Sequence, residues 1–564
     1  MKQVIFSVKE LDLKFFTTAL LCSMVFPLVS QASGLIYPET SIKLLTKSNS
    51  ALQQVSNELN LGINSASFKL VDSKESLLGT HNYYQQFLNG VEVEGAQVVV
   101  SVDNNAEVIK VYNSTVGESL KSSDASIPFL SESQALETAW NHLQVNGKLT
   151  AAPVVKLVYS KGLNLVYRIK LSVSSPAGHF DLTVDAQDGR VLDVADAALP
   201  RMKRAEAPVR NKGRAIFGSF SSAFQSFKSL TVSKSLLTNE ISFINGTAQV
   251  FDPNPVVTLG RTDMEDDSDA SIFLPAYRTE DLKDISFVNG VYSLQGPKVT
   301  LIDFESPDVA PSTSADGSWI FERKNPSFND AMTYLHIDRS ARYIESLGFV
   351  NNRAVFPDSI EVDANGVDGA DNSHYIPSSH RLAFGNGCVD DNEDSDVILH
   401  ELGHAIQHHI NPSWNGGDTG AMGEGFGDYW AASSSVMTEH GREGNVNWVF
   451  KWDGHNACWP GRKLDSFSPA YDPKKTYGAH SQVNGGVSDE LWSTPIFQAF
   501  LELYDRGVAR GDIDKIILEA HFGLGSGVTM PVMAKSIVKT AKSLFPKENY
   551  DQVYTKHFKK QKIL

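Results

Sequence analysis

Apolar and polar residues alternate along His81–Ser114 (HNYYQQFLNGVEVEGAQVVVSVDNNAEVIKVYNS), broken by Asn89-Gly90 and by Asp103-Asn104-Asn105. A period of two reads as strand and the breaks as turns. The stretch is predicted to be a β-meander within a small α+β unit over residues 35–120. Residues 131–145 set Ala135, Leu136, Ala139, Trp140 and Leu143 at helical spacing, and Ser131 with Gln134 suits a capping box. Strand-like runs follow at 154–159, 164–173 and 179–195, the last with a turn at Asp188-Gly189. Residues 215–385 read as strands and loops. Within them, 326–347 is predicted helical, with Ala331, Tyr334, Leu335, Ile337, Ala341 and Ile344 on one stripe. From Asp396 onward helical periodicity dominates. No internal repeat or low-complexity block occurs.

The N-terminus has a different pattern. Phe15–Val29 is a continuous apolar run behind Lys2, Lys9 and Lys14, and Ser30-Gln31-Ala32 follows as a small-x-Ala site. The run is short of the roughly 20 residues of a spanning helix. Residues 1–32 are therefore expected to be a secretory signal, and the remainder an exported protein without a stable membrane anchor. Residues 201–214 carry Arg201, Lys203, Arg204, Arg210, Lys212 and Arg214 with little apolar content. They read as a linker and a possible maturation region.

Composition narrows this picture only slightly. The 564 residues allow three or four domains. With 41% hydrophobic and 21% charged residues, the chain is of ordinary globular type. A net charge of −16 disfavours nucleic acid as a partner. Of three cysteines, Cys22 falls in the signal; Cys388 and Cys458 either pair or remain free thiols.

The chemistry lies in Asp390–Pro412 (DDNEDSDVILHELGHAIQHHINP). His400 and His404, four apart on a helix, share one face and suit two imidazoles on one zinc ion. Glu401, about 100° round the axis, is placed to act on a water as general base. Val397, Ile398, Leu402, Ala405 and Ile406 supply the apolar positions, and Asn411-Pro412 ends the helix. His408 lies about 12 Å along the axis from His400, too far to share the metal. It and His409 are expected at the surface. A third ligand is available in Thr419–Met437 (TGAMGEGFGDYWAASSSVM): Glu424, 20 residues after His404. Asp428, one turn further, suits a hydrogen bond to the outer N–H of a ligand imidazole. Three protein ligands with an open position are the pattern of a catalytic zinc. The acidic run Asp390, Asp391, Glu393, Asp394 and Asp396 is expected to be a solvated, capping turn, with Ca2+ binding as the other reading.

These motifs resemble those of the fungalysin family of secreted zinc metallopeptidases, gluzincins with an HExxH helix followed by E-G-x-x-D; here HELGH and EGFGD. GTAQVFDPNPV (246–256), DNSHYIPSSHRLAFGNG (371–387) and YTKHFKKQKIL (554–564) are also family-like. The resemblance implies an α+β fold: a thermolysin-like two-subdomain metalloprotease preceded by an α+β propeptide. The implied parts are a fungalysin/thermolysin-type propeptide at 33–125, a PepSY-like module at 126–200, a strand-rich subdomain at 215–395 and a helical zinc subdomain at 396–564. It implies a zymogen inhibited by its own propeptide and acting on proteins or peptides. It further implies that Leu382–Gly385, with Ala383 and Phe384, forms the edge strand that holds extended substrate. His480 is the candidate for a second, oxyanion-stabilising histidine, with Ser488 in that place on a thermolysin-like reading of Asn484–Val487. Arg462 is the candidate for a contact to a substrate carbonyl. Two other functions stay open: a non-catalytic binding or adhesion protein retaining the fold, and an aminopeptidase-type gluzincin, for which no GxMEN-like segment occurs.

Overall fold

A computed structural model describes residues 34–46, 49–116, 127–196, 241–455 and 458–564. The expected signal (1–32) and basic linker (201–214) lie outside the described residues. The alternating stretch forms β3 (Thr80–Leu88), β4 (Val91–Val102) and β5 (Val108–Asn113), with β2 (Phe68–Glu75) paired to β3 and β1 (Gly34–Ile36) to β5. Helix α1 (Asn49–Glu58) buries Ala51, Leu52 and Val55 with Val98, Val100 and Val111 of this sheet. A second unit follows. Helix α2 (Glu132–His142) starts at the expected Ser131/Gln134 capping box. Its Ala135, Leu136, Ala139 and Trp140 pack on β6 (Val154–Tyr159), β7 (Leu165–Ser174) and β8 (Ala177–Asp185), with β9 (Val191–Asp196) outside β8. Each unit keeps its own apolar core, yet β4 and β6 pair in parallel through Glu92↔Val158 and Val93↔Tyr159. The two units therefore share one nine-stranded sheet.

Strands dominate from residue 242 to residue 384, and only two-residue strands occur beyond it among the described residues. β10 (Ser242–Val250) and β11 (Arg278–Val288) lie inside a five-stranded sheet completed by β12 (Val291–Ser293), β14 (Thr313–Ser314) and β15 (Ser318–Trp319). A four-stranded sheet runs β13 (Val299–Leu301), β16 (Ile360–Asp363), β18 (Arg381–Phe384), β17 (Ser373–Ile376). This order corrects one expectation. Ala383 and Phe384 belong to β18, an interior strand, and both are fully buried; the edge strands are β13 and, beside β18, β17. Alternation along a strand gives its faces, and edge position depends on which neighbours the chain brings back.

Helix α3 (Pro326–Ser346) lies under these sheets, and α4 (Ser395–Ile410) and α5 (Asp418–Ser435) follow, then α6 (Ser488–Asp505), α7 (Arg510–His521), α8 (Met530–Leu544) and α9 (Tyr550–Lys560). Cys388 and Cys458 form a disulfide with Cα atoms 6.7 Å apart, 70 positions apart in sequence. In the chain-entropy account a loop of that length contributes about 4 kcal/mol.

The described residues form one compact unit. Tyr83, Val99 and Tyr112 of the first sheet pack into the large core around α3 to α9. Polar contacts accompany them. Lys74 Nζ donates to His409 O (2.7 Å) and Ile410 O (2.8 Å) at the carbonyl end of α4, where a cation also meets the helix dipole favourably. Lys110 Nζ donates to Phe522 O just past α7 at 2.6 Å, and burial pulls its pKa down to about 8 despite Glu519 nearby. Glu519 accepts from Ser76 Oγ (2.6 Å), Leu77 N (2.9 Å) and Leu78 N (3.3 Å).

Candidate metal centre and active site

Helix α4 begins where the acidic run caps it. Asp394 Oδ1 accepts from Asp396 N (3.0 Å), and Asp394 Oδ2 accepts from Trp452 N at 2.9 Å. Glu393 accepts from Arg323 Nε (2.8 Å) and Lys324 N (2.9 Å). These residues cap, as expected, but Asp391, Glu393, Asp394 and Asp396 are buried rather than solvated. The reason is tertiary: the loop at Phe450–Asp453 folds over them and supplies donors. Burial pushes Asp394 up to about 8 and Glu393 up to about 7. Asp371, Asp391 and Asp453 bring carboxylates together, a grouping that suits a hard cation.

Helices α4 and α5 pack closely because glycine faces glycine. A Cβ on Gly403 would come within 2.7 Å of Gly427 Cα, and a Cβ on Gly427 within 2.6 Å of His400 Nδ1. This contact lets three side chains converge. Glu424 Oε2 is 3.4 Å from His400 Nε2, and Glu424 Oε1 is 3.4 Å from His404 Nε2. Both separations exceed the usual N–H···O range. They match the edge, about 3.3–3.4 Å, of a tetrahedron whose corners lie 2.0–2.1 Å from a central zinc. Glu424 is 2% exposed, and its Oε1 has no hydrogen-bond partner among the described residues. Two imidazoles and a buried, unspent carboxylate therefore fit a zinc ion.

Charged groups surround the three donors. Asp428 Oδ1 accepts from His400 Nδ1 at 3.1 Å, which sets that ring with Nε2 toward Glu424. Arg462 donates to the same oxygen through Nε (2.9 Å) and Nη2 (2.8 Å), and its Nη1 is 3.8 Å from Asp489. Burial pushes the Asp428 carboxyl up, but Arg462 and His400 outweigh that and hold it below the usual range. Arg462 is itself buried, over the face of Phe450. His480 Nε2 is 3.6 Å from Glu424 Oε2, and its Nδ1 is 2.7 Å from Asp489 Oδ2. Ser488 instead donates to Gly478 O (2.5 Å) and accepts from Ser481 N (3.0 Å) at the start of α6, so His480, not Ser488, stands beside Glu424. Glu401 is buried on α4 between the two histidines in sequence.

Sequence reasoning missed Asp489, which orients His480 from the first turn of α6. An acidic residue in a helix's first turn reads as dipole compensation, and only the loop back to His480 reveals its second use. It also misplaced His408 and His409. Both are half-buried; His408 Nδ1 is 2.9 Å from Tyr375 Oη, and His380 packs against both rings. Ala383 and Phe384 lie one strand in from the edge, behind β17.

Residues 66–115, the run from β2 to β5, match the Fungalysin/Thermolysin Propeptide Motif. No curated protein sequence matches the chain. Among solved structures, the chain is similar to the precursor of protealysin, a metalloproteinase from Serratia proteamaculans. That match has 12% identity, covers 62% of this chain and 95% of that one, and has a TM-score of 0.34. A match to the YpeB C-terminal domain of Bacillus megaterium has 14% identity, covers 29% and 70%, and has a TM-score of 0.17. The chain thus carries a propeptide motif of fungalysin/thermolysin type over residues 66–115.

Proposed function

We propose that the protein is the precursor of an exported, zinc-dependent endopeptidase. The observation that carries this reading is the set His400, His404 and Glu424, spaced for a metal rather than for hydrogen bonds, with Glu401 on the same helix and His480 alongside. The propeptide motif ahead of it supports a zymogen. No helix among the described residues is long and apolar enough to cross a membrane.

Bound zinc would supply a Lewis acid and a water of lowered pKa. The chain's own residues would do the rest. Glu401 takes the proton of the attacking water and passes it to the leaving amine. His480, its Nδ1 held by Asp489, directs Nε2 toward the carbonyl oxygen and stabilises the charge that develops there. Asp428 fixes His400, and Arg462 neutralises Asp428 and Glu424 together.

Casein zymography of the exported protein, with and without a chelator, tests the reading. A chelator-sensitive clearing band is expected. Zinc-loaded, processed protein that clears no casein would instead favour a non-catalytic binding protein.

A further inference from the structure

A second group of two histidines and a glutamate lies away from the first, and it draws on both halves of the chain. Glu305 Oε1 accepts from His374 Nε2 at 2.8 Å and from His179 Nε2 at 2.9 Å. His179 is on β8, and its Nδ1 is 2.8 Å from Ser172 Oγ of β7. His374 is on β17, an edge strand. Glu305 Oε2 accepts from Val367 N at 3.0 Å, and the backbone at 304–305 is tied by Phe304 N and Glu305 N to Asp363 Oδ2, both 2.9 Å. Both distances to the imidazoles are ordinary for charge-assisted hydrogen bonds. The carboxylate is thus mounted as a rigid acceptor. Burial pushes its pKa up, but the two histidines outweigh this and hold it well below the usual carboxylate range.

We propose that Glu305, with His374, forms a subsite for a basic side chain in peptides laid along β17, and that His179 fills this subsite in the precursor. The inference rests on the peptidase reading above and names a substrate preference for it. The register of the sheet supports it. His374 pairs with Ala383, so both side chains share one face; Tyr375 takes the opposite face, where its hydroxyl meets His408 on α4. A peptide added to the free edge of β17 would set one residue directly opposite His374. Its side chain would leave on the same face, with Cβ about 4.5–5.5 Å from that of His374. Lysine, arginine or histidine there reaches Glu305 Oε1. When the N-terminal units depart, His179 goes with them, and a largely buried carboxylate loses one of two donors at that oxygen. A cationic peptide side chain restores it; an apolar one leaves the charge under-solvated.

The test uses the full chain, exported and processed by the producing cell. Its substrates are peptides in which one Arg, Lys or Gln is moved through an otherwise constant apolar framework on both sides of the cut. At one position kcat/KM is expected to be about tenfold higher for Arg and Lys than for Gln. Glu305→Gln is expected to bring that ratio to within about twofold. Peptides cut with no basic preference at any position, or a preference that survives Glu305→Gln, would overturn the inference while the peptidase reading stands. If Glu305→Gln does not accumulate, the wild-type profile decides. Zinc-loaded, processed protein that cuts none of the peptides would remove the peptidase reading and the inference with it.

Discussion

Among the described residues, two sets of two histidines and a glutamate share the same chemistry but differ in spacing. In His400–His404–Glu424 the nitrogen–oxygen separations are 3.4 Å, and one carboxylate oxygen has no hydrogen-bond partner among the described residues. In His179–Glu305–His374 they are 2.8 and 2.9 Å, and both carboxylate oxygens are occupied. Half an ångström separates donors too far apart for ordinary hydrogen bonds from donors that make them. The scaffolds explain it. The first set sits on two helices whose approach is set by Gly403 against Gly427, so backbone contact fixes the gap. The second sits on a strand from each of two sheets and a loop, and closes until hydrogen bonds form.

The largest expected effect separates the two sets by metal content. Glu424→Ala should lose zinc and proteolysis together, while His374→Ala keeps the full zinc complement. Elemental analysis of both purified variants checks this, and a zinc loss shared by both would erase the distinction. Glu401→Gln comes next. It should retain zinc and lower kcat about 10²- to 10⁴-fold, since the general base is removed and the ligands are not. An active, zinc-loaded Glu401→Gln variant would remove Glu401 from the mechanism.

Gly427→Ala probes the spacing itself. Its Cβ would press on His400 Nδ1, so zinc affinity should fall about 10- to 100-fold, measured by competition with a chromogenic chelator. Acid separates the regions differently. Burial lowers His408 to about 3 and His409 and His521 to about 4. Their folded pKa values lie below the unfolded value near 6.5, so the unfolded chain binds more protons in between. Stability should be full above about pH 6.5 and fall as pH drops toward about 4. Glu305 stays ionised throughout that window, so its hydrogen bonds are expected to outlast the surroundings of α4. Denaturant midpoints across the range, with hydrogen exchange at both regions, measure this. The smallest effect is His179→Ala, which removes one donor from Glu305 and should cost the precursor about 1–3 kcal/mol by urea unfolding. Unchanged stability would reduce the contact to incidental packing.

Local arguments read helix α4 well, and the reasons are specific. His400, Glu401 and His404 fall within five residues, so helical periodicity alone places two rings on one face and the carboxylate beside them. Glu424 and Asp428 are one turn apart on the next helix, and the intervening loop is short enough to return it. The Ser131/Gln134 box and the β3–β5 meander are likewise written in neighbouring residues. The acidic run was harder: its capping role is local, but its burial depends on a loop more than 50 residues downstream. His408 and His409 read as surface residues from helix geometry, and His380 and Tyr375 cover them from another strand pair.

What the sequence determined by itself, then, is whatever a helix or hairpin settles within a few residues: which side chains share a helix face, the caps and the turns. What only the tertiary structure decided is what the chain must travel to assemble. Strand β17 is an edge because β18 also pairs in parallel with β16 on its other side, which no alternation pattern records. His179, Glu305 and His374 meet across 126 and 69 positions of chain. Periodicity specifies direction from a backbone axis; contact at that range is set by how whole sheets pack, and three scattered residues carry no sign of it until they do.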